Sequence, residues 1–226
     1  MKRIISFILI ALFIIPSTCY AYSDVSDYNL NEKLRILSEM SIINGYEDET
    51  FRPYNNITRA EFTKIIMSTI RVDSSFVGEG VFNDTFGHWA EEYISLAKHF
   101  GIINGTTELT FSPEEKVTYE QAIKMIVAAL GYNDQAIAQG GYPYGYIAVA
   151  DKLGILNDIE CSYIDNATRE NISKIIYNAL NVPFYFLINS EAGSIEYEEA
   201  QYTLRELYDI QSSMIVEYDE DYLNYE

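Results

Sequence analysis

The sequence predicts a mainly α fold: three helix-loop-helix repeats packed as a pseudo-threefold helical bundle, followed by a short acidic C-terminal tail of possible β character. Two observations carry this expectation. Shifting the chain by 60 residues lays Ile42-Ile43-Asn44-Gly45 on Ile102-Ile103-Asn104-Gly105, Phe51 and Pro53 on Phe111 and Pro113, and Ile57-Thr58 on Val117-Thr118, with no gap. Self-similarity at such a period marks a repeat architecture. The second observation is a stripe at i, i+3, i+4 and i+8 that recurs three times: Phe62, Ile65, Ile66, Ile70; then Ala122, Met125, Ile126, Leu130; then Ile172, Ile175, Ile176, Leu180. That spacing is the buried face of an amphipathic helix.

The chain opens with Met1-Lys2-Arg3, an apolar run from Ile4 to Ile15, then Pro16 and the small-residue site Cys19-Tyr20-Ala21. This is the pattern of a secretory signal peptide over residues 1–21, cleaved after Ala21. The run is far short of the roughly 20 apolar residues a membrane-spanning helix needs, and no later segment approaches that length, so no membrane span is expected. Pro16-Ser17-Thr18 matches poorly the residues that precede a lipid-modified cysteine. Loss of the leader removes Cys19 and leaves Cys161 without an intrachain partner, so the fold must stand on its core.

The first repeat, residues 22–75, carries Leu34, Leu37 and Met40 on one helix, Gly45 in the loop, and a second helix starting at Thr58. The second repeat, 81–133, matches it with Ile94, Ala97, Phe100, Gly105 and Thr118; Gly131 follows Leu130 where a helix needs a left-handed residue to stop. A degenerate third repeat, 140–181, presents Ile147, Ala150 and Leu153, then Gly154-Ile155-Leu156-Asn157 and Ala167-Thr168-Arg169. Its loop is three residues shorter and lacks the Phe-x-Pro element. No unit of this size buries its own stripe, so the three must pack together. The tail, 182–226, holds eleven Asp or Glu against the single Arg205, with loosely alternating stretches at 195–199 and 214–218.

The net charge of −19 argues against nucleic acid or an anionic membrane as partner, since both reward Lys and Arg. At the second helices, Thr58 with Glu61 and Thr118 with Gln121 read as capping boxes, and Thr168 opens the third helix. Arg59 and Arg169 are anomalous there: a cation in the first turn opposes the helix dipole at roughly 0.3–1 kcal/mol. Two answers are open. An anionic ligand at the helix start would meet backbone donors, dipole and guanidinium together, or a neighbouring carboxylate such as Asp24 or Asp84 would pair with the arginine. The second repeat has Tyr119 at this position. Lys64, Lys124 and Lys174 recur well round the helix from the stripe, as on a solvated face.

Tyr22-Ser23-Asp24-Val25, Gly45-Tyr46-x-Asp48-x-Thr50-Phe51-x-Pro53 and Ile57-Thr58-Arg59-Ala60-Glu61-Phe62 together resemble the S-layer homology repeat. The second copy fits as Phe82-x-Asp84, His88-Trp89-Ala90 and Val117-Thr118-Tyr119-Glu120-Gln121. The resemblance implies a noncovalent anchor, with grooves between repeats holding a secondary cell-wall polysaccharide, commonly one with anionic ketal-linked pyruvate. Asp24, Arg59, Asp84, Trp89, Tyr119 and Arg169 are then the candidate polysaccharide-binding residues. Trp89 is either a sugar platform or a core aromatic, and Tyr119 either stacks on a sugar or marks a weak groove. The expected order is one good groove at Arg59, a second at Arg169 and a third in doubt. Thr203 to Ile210 resembles the segment that follows the third repeat in some clostridial surface proteins, where a small β-containing region begins.

No catalytic constellation is visible. The carboxylates are densest in the tail, and His88 and His99 lack both a nucleophile and a ligand cluster, so neither an enzyme, a metal site nor a cofactor is expected. The alternative is an exported protein-protein interaction scaffold that has lost glycan binding, which predicts apolar groove rims instead of arginines.

Overall fold

A computed structural model describes residues 22–71, 80–189 and 196–209; the expected leader at 1–21 and the alternating stretch at 214–218 lie outside them. The described chain forms α1 (Tyr28–Glu39), α2 (Arg59–Thr69), α3 (Glu91–His99), α4 (Tyr119–Ala129), α5 (Asn133–Ala138), α6 (Tyr144–Lys152) and α7 (Arg169–Ala179). An antiparallel hairpin follows, β1 (Pro183–Asn189) with β2 (Glu196–Thr203), and then a helical turn over 204–209.

Local chemistry sets the helix limits. Asp27 caps α1 by accepting from the N–H groups of Asn29 and Leu30. Thr58 and Thr118 close reciprocal boxes with Glu61 and Gln121, and Thr168 accepts from Asn171. Gly131, at φ 90°, ends α4 with Gly131 N–H on Ala128 O and Tyr132 N–H on Val127 O, the paired bonds of a Schellman stop. The stripes of the second helices are buried throughout, apart from the half-buried Ile70 at the end of α2. Phe100 departs from its expected place on the buried face: it is 52% exposed, whereas Met40 and Leu153, also one residue past their helix ends, pack against the core.

Helix pairs α1–α2, α3–α4 and α6–α7 form three units, but their principal packing crosses unit boundaries. The second helix of each unit lies on the first helix of the next: α2 on α3, α4 on α6, and α7 on α1. A cycle of backbone bonds closes the centre. Val117 N–H donates to Ile57 O, Ala167 N–H to Val117 O, and Ile57 N–H to Ala167 O, at 3.1, 2.8 and 3.1 Å. All three side chains are fully buried. Each unit therefore completes its core only with its neighbours.

Helix α5 was not anticipated by the repeat pattern; it fills the connection between the second and third units and packs on α6. The start of the tail is tied to the body. Tyr185 N–H donates to Leu130 O, Tyr132 stacks on Tyr185 at 5.1 Å, and Tyr208 donates to Ser68 O with its ring buried. Among the described residues, no helix is long and apolar enough to cross a membrane.

Candidate functional site

The starts of the second helices are closed to an anion. In α2, Arg59 N–H donates to Glu115 O, Ala60 N–H to Pro113 O and Glu61 N–H to Thr58 Oγ1. In α4 the acceptors are Asp165 O, Tyr163 O and Thr118 Oγ1; in α7 they are Asn55 O, Pro53 O and Thr168 Oγ1. Loop carbonyls of an adjacent unit thus occupy the donors that an anion at the helix start would need. They also place negative partial charge at the positive end of each dipole.

The arginines bridge units in the same way. Arg59 donates from Nε to Phe111 O at 2.9 Å and from Nη2 to Asn104 O at 3.1 Å, with its guanidinium 4.4 Å from the centre of the Phe111 ring. Arg169 donates from Nε to Phe51 O and from Nη2 to Asn44 O, both at 2.9 Å, and lies 4.5 Å from the Phe51 ring centre. Both are buried, which lowers their pKa from the ordinary value, although a guanidinium stays charged. Among the described residues neither joins an ion pair, so direct pairing with Asp24 or Asp84 is not the answer either. Those carboxylates clamp the loops instead. Asp24 accepts from Phe51 and Arg52 N–H, and Asp84 from Phe111 and Ser112 N–H, all at 2.7–2.8 Å. Each clamp holds the carbonyl that receives an arginine.

Two equivalent clefts open beside these bridges. The Arg59 cleft, about 410 Å³, is lined by Arg59 from the first unit, by Asn104, Gly105, Gln121 and Lys124 from the second, and by Tyr142 ahead of α6. The Arg169 cleft, about 330 Å³, is lined by Arg169 from the third unit, by Asn44, Gly45, Glu61 and Lys64 from the first, and by Trp89 ahead of α3. Trp89 and Tyr142 are 54% and 51% exposed, so Trp89 is a rim residue and not core. Gly45 and Gly105 are required by close approach: a Cβ would lie 2.2 Å from the Tyr22 ring in one loop and from Thr107 O in the other.

At the third equivalent position the polar groups bind one another. Tyr119 is 4% exposed; its hydroxyl accepts from Thr168 N–H and Asn171 Nδ2 and lies 3.2 Å from Thr168 Oγ1. Of the two roles open for Tyr119, stacking on a sugar does not fit this burial. Lys174 pairs with Glu170 at 2.7 Å.

The three equivalent lysines do not share one solvated face. Lys64 is exposed, whereas Lys124 points into the Arg59 cleft and donates to Ile102 O at 3.0 Å. Burial, with Lys98 and Arg59 nearby, pushes the Lys124 ammonium down to about 8. Tyr142 donates to Glu120 Oε1, and partial burial first, then this bond, pushes it up to about 12. Sequence reasoning missed Tyr142. The signal was present, since Tyr142 precedes Ile147 by the same five positions that separate Trp89 from Ile94. His88 bonds Glu114 through Nε2, and among the described residues no cluster of His, Cys, Asp and Glu could hold a metal ion.

The family model for the S-layer homology domain matches residues 21–63 and 81–123, the first and second units. The chain is 26% identical over 196 residues to the Middle cell wall protein of Brevibacillus brevis, covering 80% of this chain and 18% of that protein. It is 28% identical over 152 residues to a Cell surface protein of Thermoanaerobacter kivui, covering 65% and 19%. It is 28% identical over 101 residues to the Cellulosome-anchoring protein of Acetivibrio thermocellus, covering 43% and 23%. The chain spans about a fifth of the length of these curated relatives.

Proposed function

We propose that this chain is a noncovalent, non-catalytic anchor of the bacterial cell surface, whose Arg59 and Arg169 clefts bind a secondary cell-wall polysaccharide bearing anionic, pyruvylated sugars. The observation that carries the reading is the shared build of the two clefts: arginine from one unit, lysine and glycine-bearing loop from a second, exposed aromatic from a third. Cationic groups beside aromatic rims suit such a polymer, because sugar ring faces stack while its anions meet guanidinium and ammonium. The S-layer homology match and the cell-wall and anchoring relatives favour the same reading. Within it, Asp24 and Asp84 act through the loops they clamp, residues 140–181 are a diverged third copy of the domain, and residues 1–21 direct export before cleavage after Ala21.

The test is sedimentation of the mature chain with Gram-positive cell-wall sacculi, before and after chemical stripping of the secondary polysaccharide. Arg59 and Arg169 are structural bridges, so the informative variants change the cleft rims: Trp89→Ala with Tyr142→Ala, and Lys124→Ala. The wild type is expected to sediment only with unstripped sacculi, and the folded rim variants to remain largely in solution. Undiminished sedimentation with stripped sacculi would refute glycan anchoring and favour an interaction scaffold.

A further inference from the structure

The two clefts share a plan but differ at one equivalent position. In the Arg59 cleft, Gln121 Oε1 accepts from Thr118 N–H and, at 3.4 Å, from Arg59 Nη1. Its amide NH2 has no partner among the described residues. With Lys124, this wall presents guanidinium, ammonium and amide donors, and among the described residues no carboxylate lines the cleft. Asp84 and Glu115 act on Arg59 from outside the lining, and both Asp84 oxygens already hold the loop. In the Arg169 cleft the equivalent residue is Glu61, which caps α2 through Thr58 N–H and leaves its negative charge on the cleft wall, acting on Arg169. Of the other nearby cations, Arg52 is paired with Asp48. Lys64, unlike Lys124, is exposed and its charge is screened by water.

A carboxylate entering the Arg59 cleft meets guanidinium, ammonium and amide donors and no carboxylate among the described lining residues; Glu120 lies at the rim, bonded to Tyr142. One entering the Arg169 cleft meets a like charge that offsets the arginine, beside the one tryptophan of the chain. We propose that the clefts divide the ligand: the Arg59 cleft takes a carboxylate-bearing sugar, and the Arg169 cleft takes an uncharged sugar ring stacked on Trp89. Gln121 and Glu61 set the difference. This assignment rests on the glycan reading above, and it makes a polymer with both charged and uncharged residues the preferred partner, held at two points by one chain.

Trp89 allows the clefts to be read separately, since its fluorescence reports on the Arg169 cleft while calorimetry reports on both. The probes are a methyl hexopyranoside carrying a 4,6-pyruvate ketal and the same hexoside without it. With wild type, the ketal is expected to give binding heat without a Trp89 response, and the uncharged hexoside to change Trp89 emission. Gln121→Glu should weaken ketal binding by roughly tenfold, the effect of one added like charge in a partly buried site. Glu61→Gln should bring a Trp89 response to the ketal. Both substitutions keep a capping box, since Glu and Gln each close one in this chain. A Trp89 response to the ketal in wild type, at the concentration where heat is released, would overturn the division while leaving glycan binding intact. Absence of heat with both sugars would overturn the glycan reading and the division together.

Discussion

Arg59 and Arg169 show how a charged side chain at an unfavourable position is made useful. Each guanidinium leaves its own helix dipole, reaches two carbonyls of a neighbouring unit and lies against a buried phenylalanine ring. Asp84 and Asp24 fix the receiving loops, so the charges act through backbone and not through a direct pair. Lys124 carries a pH signature in the alkaline range. Its folded pKa of about 8 lies below the ordinary lysine value, so between about 8 and 10.5 the folded state binds fewer protons than the unfolded state. Its burial disfavours folding fully below that window, and the penalty is relieved as pH rises through it. Lys124→Met should therefore be more stabilising relative to wild type at pH 7 than at pH 10. A stability difference independent of pH in paired denaturant titrations would show that the ammonium is fully solvated.

For the helices, capping and packing divide the task. The reciprocal boxes at α2 and α4 are written in four adjacent residues and needed only those residues to be recognised. The N–H groups of Arg59, Tyr119 and Arg169 needed tertiary structure, because their acceptors sit in another unit. Tyr119 carries this furthest: placed where the other units have arginine, it braces the cap of α7 with its hydroxyl. Tyr119→Phe should leave two donors of the α7 start without this acceptor and lower stability by about 1–2 kcal/mol. A denaturation midpoint equal to wild type, at unchanged slope, would show that water replaces the hydroxyl without loss.

Taken whole, the molecule is a closed cycle of three units, each contributing helices to two interfaces. The cyclic bonds among Ile57, Val117 and Ala167, and the packing of α7 on α1, tie the third unit to the first. Removal of α6 and α7 would expose the stripe of α4 and the buried face of α1 together. A truncation ending at residue 131 should lose cooperative unfolding and much of its helical circular dichroism. A sharp transition in that truncation would mean that the first two units form a self-sufficient core. The same closure gives the clefts their shape, since each draws residues from three units.

The sequence by itself determined the repeat period, the helical stripes, the caps and the glycine-bearing loops. Each is encoded in residues close along the chain, where the 3.6-residue helical period and the needs of a helix end leave a readable pattern. Only the tertiary structure decided what the marked residues do. Arg59 reaches Phe111 across 52 positions and Arg169 reaches Asn44 across 125. Equivalent lysines became different, because Lys124 lies in a cleft bounded by Tyr142 and its counterpart Lys64 remains exposed. A side chain's solvation and partners are set by distant segments that packing brings together, and local spacing carries no record of them.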